Sequence, residues 1–214
     1  MERPRLIEVI NVLMLLRLFF GLALIGASHA ALQRDPPYAP CVVCHQLSAW
    51  GSQDGNIPNL AGQQRRYLQT QLAQFASGAR AETAMQIVAA HPKPAEHSDF
   101  AAVATYLSAL RWNPTPVTGP GEHLQVGQEI YMHICAACHG ADGRGQPGNR
   151  APRIAGQHYP YLRRQIEEAA RWHRDLAPPE MTRALRGMLE SEKDALADYV
   201  SRLALSRIPV ITQR

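Results

Sequence analysis

Charge of one sign is scarce in this sequence: 22 Lys+Arg stand against 18 Asp+Glu, a formal +4 over 214 residues. An excess that small supplies no basic face for nucleic acid. Aromatic residues make up only 7%, although 46% hydrophobic residues is ordinary for a soluble globular protein. Sustained alternation of apolar and polar residues, the mark of a half-buried strand, is missing, which points away from sheet. No hydrolytic or acid/base constellation stands out. Glu167-Glu168 and Glu190 with Glu192 read as solvated helix faces. The cleanest apolar run, Leu18 to Ala27, is too short to span a bilayer comfortably, since a spanning helix needs about 20 such residues.

That run has another use. Arg3 and Arg5 precede it, and Ser28-His29-Ala30 follows with small residues where signal peptidase requires them. Residues 1-30 are therefore expected to be a secretory signal cleaved after Ala30, which implies a periplasmic protein. If uncleaved, the segment would associate the chain with a membrane. Losing three basic and two acidic residues with it leaves the charge balance weak.

Cysteine is also sparse, four in all, at Cys41, Cys44, Cys135 and Cys138. Export would ordinarily make four cysteines two disulfides. The spacing argues otherwise, because each pair forms CxxC followed directly by histidine, His45 and His139, and the two motifs lie 94 residues apart. The same offset carries Pro58 onto Pro152, Ala61-Gly62-Gln63 onto Ala155-Gly156-Gln157, Tyr67-Leu68 onto Tyr161-Leu162, Gln71 onto Gln165 and Arg80 onto Arg174. A shared register over that length marks an internal duplication. Between the copies, Asn113 to Gly121 is rich in proline and glycine and should hold neither helix nor strand. The expected organisation is a first domain over 31-112, a linker over 113-121 and a second domain over 122-214. Apolar positions at helical intervals predict helices over 64-77 and 158-173, and each domain should end in a helix, Asp99 to Leu110 and Ser191 to Leu205, with Asp99 and Ser191 as N-caps. Both domains are expected to be all-α. At about ninety residues each, an apolar core alone would be marginal, and a buried haem would supply the missing core.

Covalent haem attachment needs two thiols to add to the two vinyl groups on one porphyrin edge, and a ligand directed at the central iron. Two cysteines three apart on a helical turn, followed by histidine, meet that need. A zinc knuckle wants its two CxxC pairs about 15–20 residues apart, and a thiol oxidoreductase wants a strand-rich setting. Neither pattern is present. Each histidine also needs an acceptor for its other ring nitrogen. Pro58 and Pro152, with carbonyls free to accept, are the candidates, against the plainer reading that they only shape a turn. For iron's other face, Met85 is the only methionine after the first motif within the first copy, and His91 and His97 are its rivals. In the second copy Met181 matches Met85 better than Met188 when counted back from Tyr199 and Tyr106, and His173 is an outside candidate. Arg65, Arg66, Arg163 and Arg164 either meet haem propionates or face water; Arg80 and Arg174, which match across the repeat, are the better propionate partners.

The run Ile57-Pro58-Asn59-Leu60-Ala61-Gly62-Gln63, then Tyr67-Leu68, Gln71-Leu72, Phe75 and Gly78-Ala79-Arg80, resembles the cytochrome c4 family, as does Cys135-Ala136-Ala137-Cys138-His139-Gly140-Ala141-Asp142-Gly143. The resemblance covers nearly all of 38-205. It implies two class I cytochrome c folds, each around a covalent haem c, with His45/Met85 and His139/Met181 as axial pairs and electrons passing toward a terminal oxidase. Redox proteins met through transient contacts would be its partners, a membrane oxidase or reductase complex among them. Two departures stand out. The second motif is preceded by a helix, Val126 to Ile134, whereas Asp35-Pro36-Pro37-Tyr38-Ala39-Pro40 cannot form one of useful length before the first. Gln46 also stands where the second copy has Gly140. Two other functions compete with the electron shuttle: the haem subunit of a dehydrogenase such as a sulfide-oxidising flavoprotein, and a peroxidase at the first haem.

Overall fold

The computed structural model describes residues 38–90, 98–146, 151–171 and 178–203. The segment read as a signal lies outside them, as do His91, His97, His173 and Arg174. Among the described residues the regular elements are all helices; an isolated bridge joins Gln146 to Ala151, and there is no strand. No helix among them is long and apolar enough to cross a membrane.

In the first repeat a 3-10 turn, Ala39–Cys41, runs into α1 (Val42–His45), followed by α2 (Arg65–Ser77), α3 (Thr83–Ala90) and α4 (Ser98–Ala109). The second repeat has α5 (Leu124–Ile130), a π turn over Tyr131–Cys135, α6 (Ala136–His139), α7 (Tyr159–Ala170), α8 (Pro179–Arg186) and α9 (Glu190–Arg202). Residues 111–123 between them form no helix. Helix limits fall within a few residues of those expected, and the starts differ for a local reason. The terminal helix α9 begins one residue before Ser191, with Leu189 at the cap position. The Glu192 carboxylate reaches back to accept from the Leu189 N–H at 2.8 Å and satisfies a donor that Ser191 was expected to serve. Asp99 likewise lies inside α4 rather than before it.

Helix α2 packs on α3 and α4, and α7 on α8 and α9. The Leu68 face of α2 meets Val103, Ala104 and Leu107 of α4 in one buried cluster, and Leu162 and Ile166 of α7 meet Leu196, Ala197 and Val200 of α9 in the other. The second repeat adds a crossing that the described part of the first does not show. Gly127 of α5 lies so close to α9 that a Cβ there would sit 2.1 Å from the Ala195 carbonyl oxygen. Backbones can approach that closely only without a side chain between them. The expected solvated faces are in fact partnered: Arg163 on α7 engages Glu167, Glu190 and Asp194, while the Lys193 ammonium, 8% exposed, lies 2.8 Å from Glu190 and 3.4 Å from Glu167. That network fastens α7 to α9.

Each repeat begins with a tyrosine doing the same work. The Tyr38 hydroxyl donates to the Gln46 carbonyl at 2.7 Å, and that of Tyr131 to the Gly140 carbonyl at 2.6 Å. Their rings lie against Tyr106 and Tyr199, with centroids 5.1 and 5.7 Å apart. Tyr38 precedes its first cysteine by three residues and Tyr131 by four. The π turn, which takes one extra residue per turn, absorbs the difference.

His158 ties the halves together. It is buried, its Nδ1 accepts from the Val117 N–H at 2.9 Å, and its Nε2–H donates to the Trp50 carbonyl at 2.7 Å. That arrangement requires the neutral ring, and burial lowers its pKa below the ordinary 6.5, with the Trp50 bond and the facing Asp54 carboxylate pulling the other way. A group that is neutral in the fold and protonated more readily when unfolded stabilises the fold fully above pH 6.5, and that stability declines as pH falls toward the folded value. The unfolding temperature of the holoprotein should therefore drop from pH 7 to pH 5. In His158→Gln, which copies the equivalent Gln64, the drop should shrink; an equal drop in both proteins would refute the assignment.

Candidate functional site

The two CxxCH segments fold alike. In each, the first cysteine closes one turn and opens the next, Cys41 and Cys135 being half-buried while Cys44 and Cys138 are exposed. Burial, with the neighbouring thiol adding to it, pushes Cys41 up to about 11 and Cys135 likewise up to about 11. Such thiols stay protonated, which is opposite to the lowered pKa of a thiol oxidoreductase. No group of three or more His, Cys, Asp or Glu that could hold a metal ion exists among the described residues, so the zinc reading gains nothing.

The histidines are turned inward, His45 at 4% and His139 at 9% exposure. His45 Nδ1 lies 3.1 Å from the Pro58 carbonyl oxygen, and His139 Nδ1 lies 3.0 Å from that of Pro152. A carbonyl can only accept, so Nδ1 carries the proton and Nε2 keeps its lone pair. Burial lowers both histidine pKa values, and the proline bonds offset this in part. Each ring is thus a neutral, oriented donor of one nitrogen lone pair.

The loop between histidine and proline repeats bond for bond. The Gly51 N–H donates to the His45 carbonyl and the Gly145 N–H to that of His139; Leu60 and Ala61 donate to Ala49, and Ile154 and Ala155 to Gly143. Gly51 and Gly145 have φ of +85° and +75°, and a Cβ at either would lie 2.1 or 2.3 Å from the carbonyl oxygen of Ile57 or Ala151. Only glycine fits there.

Met85 and Met181 are each the third residue of an eight-residue helix, α3 and α8, and both are half-buried. The segment carrying Met85 is helical, as a stretch from Thr83 to Ala90 without glycine or proline allows. Met188 follows α8 and packs against the second core, as Met181 also does.

Arg80 is 8% exposed. Its guanidinium donates to Gln71 Oε1 at 2.7 Å, to Gln165 Oε1 at 2.8 Å and to the Tyr161 hydroxyl at 3.2 Å, and lies 4.5 Å from the Phe75 ring centre. No carboxylate among the described residues pairs with it. A buried cation with only neutral partners is costly, and the Asn59 Nδ2 and Trp112 Nε1 donors are buried without an acceptor. Groups that only donate call for an anionic acceptor, and haem propionates are such acceptors. With paired thiols and an oriented imidazole in each repeat, the residues fit a haem.

Several residues at this site were not singled out from the sequence. Gln63 and Gln157 were matched across the repeat but given no role. Gln63 reaches the backbone of Arg153 at 2.8 and 3.0 Å, and Gln157 that of Asn59 at 2.9 and 2.9 Å. Gln64 Nε2 donates to the Ala151 carbonyl at 3.0 Å and the Arg144 carbonyl at 3.3 Å, as His158 does to Trp50. These bonds join one repeat to the other by an approximate twofold.

Residues 38–111 and 124–204 match the family model for cytochrome c. The chain is 32% identical over 196 residues to the thiosulfate dehydrogenase electron acceptor of Thiomonas intermedia, covering 86% of this chain and 88% of the relative. It is 29% identical over 161 residues to cytochrome c4 of Pseudomonas aeruginosa, with 72% and 80% covered. The crystal structure of reduced cytochrome c4 from Pseudomonas stutzeri superposes with a TM-score of 0.68 at 22% identity, over 77% of this chain and 93% of that one.

The Gln46 substitution has a measurable cost. Gln46 keeps φ 64° and ψ 166°, close to the φ 78° and ψ 153° of Gly140. A side chain in that region strains the backbone by about 1–3 kcal/mol. Because the Gln46 side chain is exposed, Gln46→Gly should stabilise the protein by about 1 kcal/mol net, read as a higher denaturant midpoint; an unchanged or lower midpoint would show that the strain is absent.

Proposed function

The chain belongs to the cytochrome c family, in its dihaem cytochrome c4 branch, and from that premise we propose that Cys41 and Cys44 hold one haem c and Cys135 and Cys138 the other, with axial pairs His45/Met85 and His139/Met181. The protein carries two haem c and transfers electrons. Haem iron supplies one-electron chemistry between its ferric and ferrous states. The chain's own residues do the rest. Pro58 and Pro152 hold the histidine rings, and the Met85 and Met181 thioethers would keep oxygen and peroxide from the bound haem and raise its potential. The matching third positions of Met85 and Met181 in α3 and α8 support this pairing over Met188. Arg80, buried without a described carboxylate, would neutralise a propionate in the first domain, and Arg174 is its proposed counterpart in the second.

The domains are taken as 31-112 and 122-214 with a linker over 113-121, and residues 1-30 as an export signal that delivers the protein to the periplasm. The single observation carrying the function is the bond from buried His Nδ1 to a proline carbonyl in both repeats. Partners are redox proteins met transiently, with electrons passing on toward a terminal oxidase. Val43 and Leu47, 89% and 70% exposed beside the first motif, supply the small apolar contact that such brief encounters use.

A second reading follows from the likeness to thiosulfate dehydrogenase electron acceptors, in Thiomonas intermedia at 32% and in Stutzerimonas stutzeri at 31% identity: the chain accepts electrons from a sulfur-compound dehydrogenase. Anaerobic mixing with a thiosulfate dehydrogenase and thiosulfate should reduce both haems within the mixing experiment. A protein that stays oxidised there, yet exchanges electrons with oxidase-containing membranes, would remove this reading and leave the first.

For the ligands, the protein matured with haem should show the ferric methionine-to-iron charge-transfer band at full strength for two haems. Met85→Ala and Met181→Ala should each remove about half of it and lower one potential. Retention of the whole band in either variant would overturn that methionine's assignment. A missing band for the first haem in the unsubstituted protein, with peroxidase turnover, would favour the enzyme reading instead.

A further inference from the structure

Each domain's interface glutamine grips the peptide that orients the other domain's histidine. The Pro58 carbonyl, which accepts from His45 Nδ1, and the Asn59 N–H are the two ends of one peptide group. That N–H donates to Gln157 Oε1 at 2.9 Å, while Gln157 Nε2 donates to the Asn59 carbonyl at 2.9 Å. The counterpart is complete. The peptide between Pro152 and Arg153 accepts from His139 Nδ1 at 3.0 Å and donates its N–H to Gln63 Oε1 at 3.0 Å, and Gln63 Nε2 donates to the Arg153 carbonyl at 2.8 Å. The amide orientations are fixed, because each Oε1 also accepts a neighbouring N–H, Gln64 on Gln63 at 2.9 Å and His158 on Gln157 at 3.0 Å. Both glutamines are 5% exposed and Asn59 is 1% exposed, so the bonds between Gln157 and Asn59 are shielded from water, while those between Gln63 and Arg153 are partly buried.

We propose that Gln157 and Gln63 are positioning residues that tune the haem of the opposite domain. A peptide whose N–H is engaged becomes a stronger acceptor at its carbonyl, because chained hydrogen bonds polarise one another, and the effect is larger where water is absent. A stronger acceptor draws the Nδ1 proton, makes the imidazole a more electron-rich donor and favours the ferric state. Gln157 therefore holds down the potential of the first-domain haem, and Gln63 that of the second. The same bonds make the potential of each domain depend on the docking of the other. This rests on His45 and His139 being iron ligands.

The test is a redox titration of the full haem-loaded chain, with the two transitions assigned through the paramagnetically shifted ring protons of His45 and His139 followed by NMR. Gln157→Leu should raise the first-domain transition and leave the second in place, and Gln63→Leu should do the reverse. Gln157→Glu, which is isosteric and keeps the acceptor while adding charge, should move the first-domain transition downward, and it guards against a leucine variant that fails to mature. Shifts confined to the substituted domain, equal shifts of both transitions, or no shift would overturn the proposal. If the unsubstituted protein lacks a shifted histidine ring for either iron, the ligand assignment itself falls and the inference with it, an outcome read before any variant is made.

Discussion

The bond between a buried imidazole and a proline carbonyl organises each half of this protein. Proline has no N–H, so its peptide nitrogen makes no claim on the loop, while its carbonyl stays available. The histidine ring enters from a single helical turn and is held in one tautomer with one lone pair free. Almost every repeated detail serves that bond. The left-handed glycines at 51 and 145 let the loop close on itself, the Ala49 and Gly143 carbonyls collect the amides that follow the proline, and the tyrosine hydroxyls at 38 and 131 pin the residue after the histidine.

The halves are not copies where it matters for packing. The second approaches its motif along a helix that crosses α9 at Gly127, and a π turn takes up the extra residue before Cys135. In the described first half a single 3-10 turn does the same work, and Tyr38 alone caps the core. Gln46 adopts a glycine's conformation without being glycine. The described apolar clusters are small in both halves, which suits domains whose cores are completed by a prosthetic group. Exposed apolar side chains stand beside both motifs, Val43 and Leu47 at the first and Met132 and Ile134 at the second.

Much of the site was legible before any coordinates. Cys41, Cys44, His45 and their repeats, and the two prolines thirteen residues on, could be read because covalent attachment and histidine orientation demand fixed spacings along one short stretch of chain. The pairing of Met181 with Met85 rests on counting and is a proposal; each lies third in its helix, α3 and α8. What could not be read was the role of the side chains between repeats. Gln63, Gln157, Gln64 and His158 act on backbone about 90 residues away in sequence or further, and a turn glutamine carries no local mark of such a partner. Glu167 and Glu190, taken for solvated faces, proved to be partners of Lys193 and Arg163 for the same reason.

The amino-acid sequence by itself determined what is local: two haem-attachment motifs, the duplication in a register of 94, the helical class and the histidine–proline pairs. Each of these follows from spacing within a turn or a loop, where covalent geometry leaves few choices. Only the tertiary structure decided which peptide each glutamine would hold, that Arg80 would be buried between Gln71 of its own half and Gln165 of the other, and that His158 must stay neutral. Those outcomes depend on how two folded halves meet, and the meeting is set by complementary hydrogen bonds that exist only once both backbones have taken shape.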